Sequence, residues 1–153
     1  MVSCTEFIPL YSELFKYLEN KGGKEEVLKY WNFVSDKYVQ PRLGEEVAKH
    51  GLKGCWNYWN VSLNEEACDF SMTYDEKNNH FEIDMKGCPS KGMLNKLEYT
   101  EPYKDYCEHC DVLYSRVLRK YGIECKGNYE HVDKACCKII AKQIDKGDEK
   151  WNY

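Results

Sequence analysis

Cys107, His109 and Cys110 fall within one four-residue stretch, flanked by Tyr106 and Asp111. A thiol can act as nucleophile or metal ligand, an imidazole can carry a proton, and a phenol or carboxyl can assist it. Three chemistries fit these residue types. A zinc site would use Cys107 and Cys110 with Cys88, and His109 as a further ligand; one C-x-x-C pair alone is a weak signal for it. A thioredoxin-like redox pair would need a preceding strand in a βαβ unit, and that context is missing. A nucleophilic Cys107 would need a base nearby, such as His109 or His131. Haem attachment is excluded, because Asp111 and not histidine follows Cys110.

The positions of these groups depend on a helix. Tyr106, Cys110, Leu113, Tyr114, Val117, Leu118 and Tyr121 recur at helical spacing. Asp105 and Glu108 resemble a capping box, and Gly122 is a C-terminal stop. The spacing predicts a helix over 106–121, with Pro102 as an alternative start. If Asp105 is the cap, Cys107 lies in the first turn, where free backbone N–H groups and the helix dipole favour a thiolate or hold a carboxylate. Cys107 is then expected to be the most reactive thiol.

Around that helix the chain changes period. Residues 3–20 predict a helix with Ser3 and Glu6 as a capping pair, and 24–39 predict a second, ended by Pro41. Residues 43–60 predict a third, with Gly44, Ala48, Gly51 and Cys55 forming a narrow face for tight packing, followed by Trp56, Tyr58 and Trp59. From Cys68 the period is two: 67–87 predict one hairpin and 123–142 another. Residues 91–98 predict a short helix, and the tail from Asp145, apart from Trp151, is polar. The expectation is a single α+β domain. N-terminal helices are followed by two β-hairpins flanking a central helix, and the strands form one antiparallel sheet with helices over its apolar face.

This arrangement would bring six thiols together, namely Cys68, Cys88, Cys107, Cys110, Cys125 and Cys137. Taken singly, Cys4, Cys55, Cys68 and Cys125 read as small core hydrophobes. The chain of 153 residues is long enough for a core of its own, and its net charge of −4 argues against a nucleic-acid partner. No apolar run reaches bilayer length. Nine cysteines with no basic-then-apolar leader point to the reducing cytoplasm. Thirteen tyrosines and four tryptophans suit a pocket or an interface, and a homodimer is expected on that ground.

A family resemblance rests on scattered positions. Tyr58-Trp59 leads to Leu63-Asn64-Glu65-Glu66. Phe81, Ile83 and Met85 lead to Cys88-Pro89-Ser90. Pro102-Tyr103, Asp105-Tyr106-Cys107 and His109-Cys110 follow, then Cys136-Cys137. The pattern resembles the L-2-amino-thiazoline-4-carboxylate hydrolase-like family over about residues 45–140. The resemblance implies a hydrolase that opens a sulfur- and nitrogen-containing ring to N-carbamoyl-cysteine. It also implies a distant likeness to ligand-binding domains of the 4-vinyl reductase type, with a pocket between sheet and helix. On that reading Cys107, His109, Cys110, Tyr106 and Asp111 would carry the chemistry, and Cys88, Cys137, Tyr114 and Trp59 would contact a small-molecule substrate. The alternative is a non-enzymatic module that binds a small ligand or a thiophilic metal, with zinc the candidate cofactor.

Overall fold

A computed structural model describes residues 6–144. Ser3, Cys4 and the tail from Asp145 to Tyr153 lie outside the described residues. Helix α1 (Phe7–Gly22) turns at Gly23 into α2 (Lys24–Val34). Gly23 has φ +74°, a conformation that costs a glycine little, and its N–H closes α1 on the Glu19 carbonyl at 2.8 Å. Pro9 falls in the first turn of α1, where no N–H is needed.

Pro41 does not end the second helix. The chain runs on through a π-helical segment (Ser35–Gly44) that contains it, and then into α3 (Glu45–His50). Proline lacks the N–H of the α ladder and its ring crowds the carbonyl one turn back; a widened turn accommodates both. The widened segment packs on the later helix α6 (Glu108–Arg119). There the buried Ser35 hydroxyl donates to the Leu113 carbonyl at 2.8 Å, and the Gln40 amide donates to the Tyr121 hydroxyl at 2.8 Å.

The expected third helix is two. Gly51, at φ +59°, separates α3 from α4 (Lys53–Glu65). The closest approach between them is at Gly54, where a Cβ would lie 2.5 Å from the backbone carbon and oxygen of Glu46. The expected small-residue face does not pack as a unit: Gly44 and Cys55 are buried, Ala48 and Gly51 are exposed, and the close approach is made by Gly54, which lies outside that face.

The two hairpins form as expected. Strands β1 (Asp69–Asp75) and β2 (His80–Gly87) make the first, and β3 (Ile123–Asn128) and β4 (Cys137–Gln143) the second. The sheet is antiparallel with order β1-β2-β4-β3. Asp75 sets the first turn by accepting from the Lys77 and Asn78 N–H groups at 3.0 and 3.2 Å. In the β2–β4 ladder Phe81 faces Ala141, Ile83 faces Ile139 and Met85 faces Cys137. Helices α4 and α6 and the π segment cover the inner face, and Trp59 stacks on Phe81 with ring centroids 5.5 Å apart. A second core joins α1 and α2 to Leu94, Tyr103 and Tyr106.

Between the hairpins, the short helix is α5 (Pro89–Leu94), starting earlier than expected because Cys88 serves as its N-cap and Pro89 as its first residue. No helix among the described residues is long and apolar enough to cross a membrane.

Because Gly54 meets rigid backbone, Gly54→Ala should destabilise the protein by about 2–3 kcal/mol, near the upper end for overpacking. Urea unfolding measures this; a loss below about 0.5 kcal/mol, the size of an ordinary surface change, would mean that α3 and α4 are not in such contact.

Candidate functional site

Helix α6 starts at Glu108, later than the sequence spacing suggests, with Cys107 at the N-cap position. The expected capping box does not form. Asp105 and Glu108 instead both reach Lys24 of α2, at 2.5 and 2.8 Å. Burial works against the charge on Lys24, but these two carboxylates outweigh it and hold its pKa above the ordinary lysine value. The N–H groups of the first turn are also taken. Those of Glu108, His109 and Cys110 donate to the carbonyls of Asp105, Tyr106 and Cys107 at 3.0, 3.4 and 3.3 Å.

Cys107 therefore lacks the free donors that would lower its pKa. Burial pushes the thiol up to about 11, with Lys91 opposing and Cys88 adding to the rise. The expected reactive thiolate is corrected to a protonated thiol, because desolvation exceeds what the helix end offers.

The same turn of α6 also holds a side-chain pair. His109 Nδ1 is hydrogen-bonded to the Tyr106 carbonyl. A carbonyl can only accept, so Nδ1 carries the proton and Nε2 keeps its lone pair. Nε2 lies 3.5 Å from Cys110 Sγ, within reach of the thiol proton. The ring packs against Tyr106, Tyr11 and Phe15, with centroids 4.8, 5.5 and 5.8 Å away. Burial lowers the His109 pKa to about 4, although the bond to Tyr106 opposes it, so the imidazole is neutral at pH 7. Burial also raises the Cys110 thiol well above its ordinary value, with Cys88 and Cys107 adding to the effect.

Both side chains are packed among protein atoms yet keep accessible surface, because they face a partly open cavity. The cavity has a volume of about 560 Å³ and lies between the inner face of the sheet, α4, α5 and α6, with the first turns of α1 along one side. Ile8, Leu14, Leu63, Ile83, Met85 and Ile139 give it mostly apolar walls. Glu66 and Lys91 bring the formal charges; burial raises the Glu66 pKa and Arg42 opposes it.

Most of the sequence-predicted site residues meet here. Cys107, His109, Cys110 and Tyr106 line the cavity, as do Cys88, Cys137, Tyr114 and Trp59. Asp111 does not. It lines a separate surface cleft of about 400 Å³ with Glu108, Lys126 and Tyr129. Tyr129 borders both spaces, and its ring fills the room beside Gly127, where a Cβ would fall 2.2 Å from it. His131 is exposed and does not line the cavity.

Six thiols do share the cavity, but not the expected six. Cys125 belongs to the core near Cys55, and burial pushes its thiol up to about 12. Cys136 takes its place in the wall. It precedes β4, so strand alternation does not govern it, and its thiol donates to the Lys86 carbonyl at 3.1 Å. Burial likewise raises Cys68 and Cys137 to about 12. The first turns of α1, Glu66 and Lys91 were not foreseen; nothing in their local sequence marks them, and only the packing of α1 against α5 and of α4 and α5 beside the sheet brings them together.

Among the described residues no three His, Cys, Asp or Glu side chains stand close enough to hold a metal ion. Cys88, Cys107 and Cys110 share the cavity wall without forming a ligand set, so the residues do not fit the expected zinc site. No known family model matches the chain, and no curated protein matches it.

Two outcomes follow from these environments. At pH 8 Cys107 should react with iodoacetamide on the order of a hundredfold more slowly than a free cysteine, because so little of it is thiolate. Peptide mapping over time reads this, and a faster-than-free rate would contradict the burial. The second concerns acid. The His109 pKa is depressed on folding, so its contribution is full above the unfolded value of about 6.5 and is lost as pH falls through about 4. The loss is about 3 kcal/mol at most. Comparing urea midpoints of wild type and His109→Gln between pH 7.5 and 4.5 should show the wild type losing its advantage; parallel curves would show a hydrated ring.

Proposed function

We propose that the chain binds a small molecule with an apolar body in the cavity between sheet and helices. The observation that carries this reading is the cavity's size together with the character of its wall. A volume of about 560 Å³ lies inside the ~300–1,000 Å³ range of clefts that hold small ligands. Its walls are mostly aliphatic and aromatic, with a few polar groups at fixed places, as such sites require. Burial keeps Cys68, Cys107, Cys110 and Cys137 neutral, so they add to its soft, weakly polar lining.

Ring-opening of a thiazoline carboxylate is the second reading. It is supported by the resemblance and by one contact, the 3.5 Å approach of His109 Nε2 to Cys110 Sγ. That pair could present a thiol to a C=N carbon. The first reading is preferred because a small anionic heterocycle would leave most of the apolar wall uncovered.

Calorimetric titration with 2-nonanone separates the two. Saturable binding with a negative heat-capacity change is expected, because apolar surface is buried. Leu14→Arg, which puts a charge into the wall, should weaken it by about tenfold or more, equivalent to ~1.4 kcal/mol. No saturable heat at any temperature would remove the binding reading. Incubation with the thiazoline, followed for N-carbamoyl-cysteine, tests the second; product that is lost in Cys110→Ser would establish it instead.

A further inference from the structure

The geometry points to Cys110 as an acceptor thiol that adds to apolar, electrophilic alkenes such as enones, with His109 as its base. This deepens the cavity reading and rests on it. The argument starts from the tautomer. The Tyr106 carbonyl fixes the proton on Nδ1, so Nε2 faces Cys110 Sγ at 3.5 Å as a lone-pair acceptor. A base held in one tautomer by a third group, with a nucleophile in reach, is the arrangement that activates thiols and hydroxyls in general. Both groups open onto the apolar cavity, where an alkyl or aryl enone would place its double bond.

The addition needs no other reactant. As the Cys110 sulfur bonds to the β-carbon, its proton passes to His109 Nε2, and the double-bond electron pair moves to the carbonyl oxygen as an enolate. The proton on Nε2 then passes to the α-carbon, and the imidazole is neutral again. One C–S bond and one C–H bond form, one S–H bond and one C=C π bond are lost, and nothing is oxidised or reduced. Hydrolysis would in addition need a water and an acid for the leaving group. Glu66 and Lys91, the formally charged lining side chains, interact with other thiols of the wall as well, whereas the His109 contact is to Cys110 alone among the cavity cysteines.

The burial of both groups makes a distinctive signature. Cys110 rests as the neutral thiol and His109 as the neutral imidazole, so the proton moves only as the bond forms. The titratable groups facing the pair are Tyr11 from α1, Glu66 after α4, Cys88 before α5, Tyr106 and Cys107 before α6, Tyr114 on α6, Tyr129 after β3, and Cys137 on β4. Glu66 is the carboxyl among these, and burial raises its pKa; burial likewise raises the phenols and thiols, which stay neutral through pH 8.

The test uses the intact protein and 3-nonen-2-one, with adducts quantified by mass spectrometry and placed by peptide mapping. The expected result is a single adduct on Cys110, absent in Cys110→Ser and formed about a hundredfold more slowly in His109→Gln, the usual scale of general-base assistance. The wild-type rate should be nearly level between pH 6 and 8, whereas an ordinary exposed thiol slows about tenfold per pH unit as its thiolate fraction falls. Labelling of another cysteine, or a Cys110 rate that follows thiolate fraction, would overturn the inference. Both are read on the unaltered protein, so the result does not depend on the variants folding. Saturated 2-nonanone cannot form the adduct and serves as the control. If it binds and protects nothing on Cys110, the adduct inference fails while the cavity reading stands; if it does not bind, both fail.

Discussion

The pairing of β2 with β4 is the constraint on which the site depends. Each hairpin alone would have a half-buried face too small to hold a cavity floor. The ladder from His80↔Lys142 to Met85↔Cys137 joins the two into one surface. Ile83 and Ile139 then lie side by side under α6, and Cys88 and Cys137, from strand ends nearly fifty residues apart in sequence, come to the same end of the sheet. A slip of β4 by one residue would turn Ile139 and Cys137 to the outer face and put Lys138 in the cavity. The hydrophobic alternation on both strands opposes that slip, so the register and the cavity floor are set together.

The cavity persists because its roof is held from outside. Helix α6 is fixed along its length by the π-helical segment, through Ser35 to the Leu113 carbonyl and Gln40 to Tyr121. Its N-terminus is held by Lys24, which bridges Asp105 and Glu108. The bridge also lays the Lys24 ammonium near the rings of Trp31 and Tyr103, 5.2 and 5.5 Å from their centroids. These partners are partly exposed, so their worth is modest in energy; their effect is on position. By drawing Asp105 and Glu108 away from the helix end they leave its N–H groups to tight backbone turns, and that same turn presents His109 and Cys110 to the cavity.

Desolvation is the dominant electrostatic fact of the site. It raises every thiol for which a shift is resolved, lowers His109 and raises Glu66. The same effect governs the tyrosines of the wall, Tyr11, Tyr106 and Tyr114. A cavity of neutral thiols, phenols and imidazole is a poor host for ions and a good one for polarisable, weakly polar molecules. Chemistry in such a place has to move protons between neutral partners that are already in contact.

Local pattern in the sequence was enough for the α+β class, both hairpins, the inward residues of each strand, and the gathering of Cys88, Cys107, Cys110 and Cys137 at one place. Those features follow from periods of two and 3.6, which bind each side chain to a face without reference to distant residues. Three things needed the tertiary structure. Pro41 reads as a helix end, but packing against α6 makes a widened turn worth keeping. Asp105 and Glu108 read as a capping box, but Lys24, eighty residues earlier, competes for the same carboxylates at short range. Cys107 reads as an activated thiol at a free helix end, but in the folded chain burial holds it protonated. Whether a thiol is charged depends on what surrounds it, and whether His109 presents a lone pair depends on which carbonyl its other nitrogen meets; both are properties of the packed neighbourhood, not of spacing along the chain.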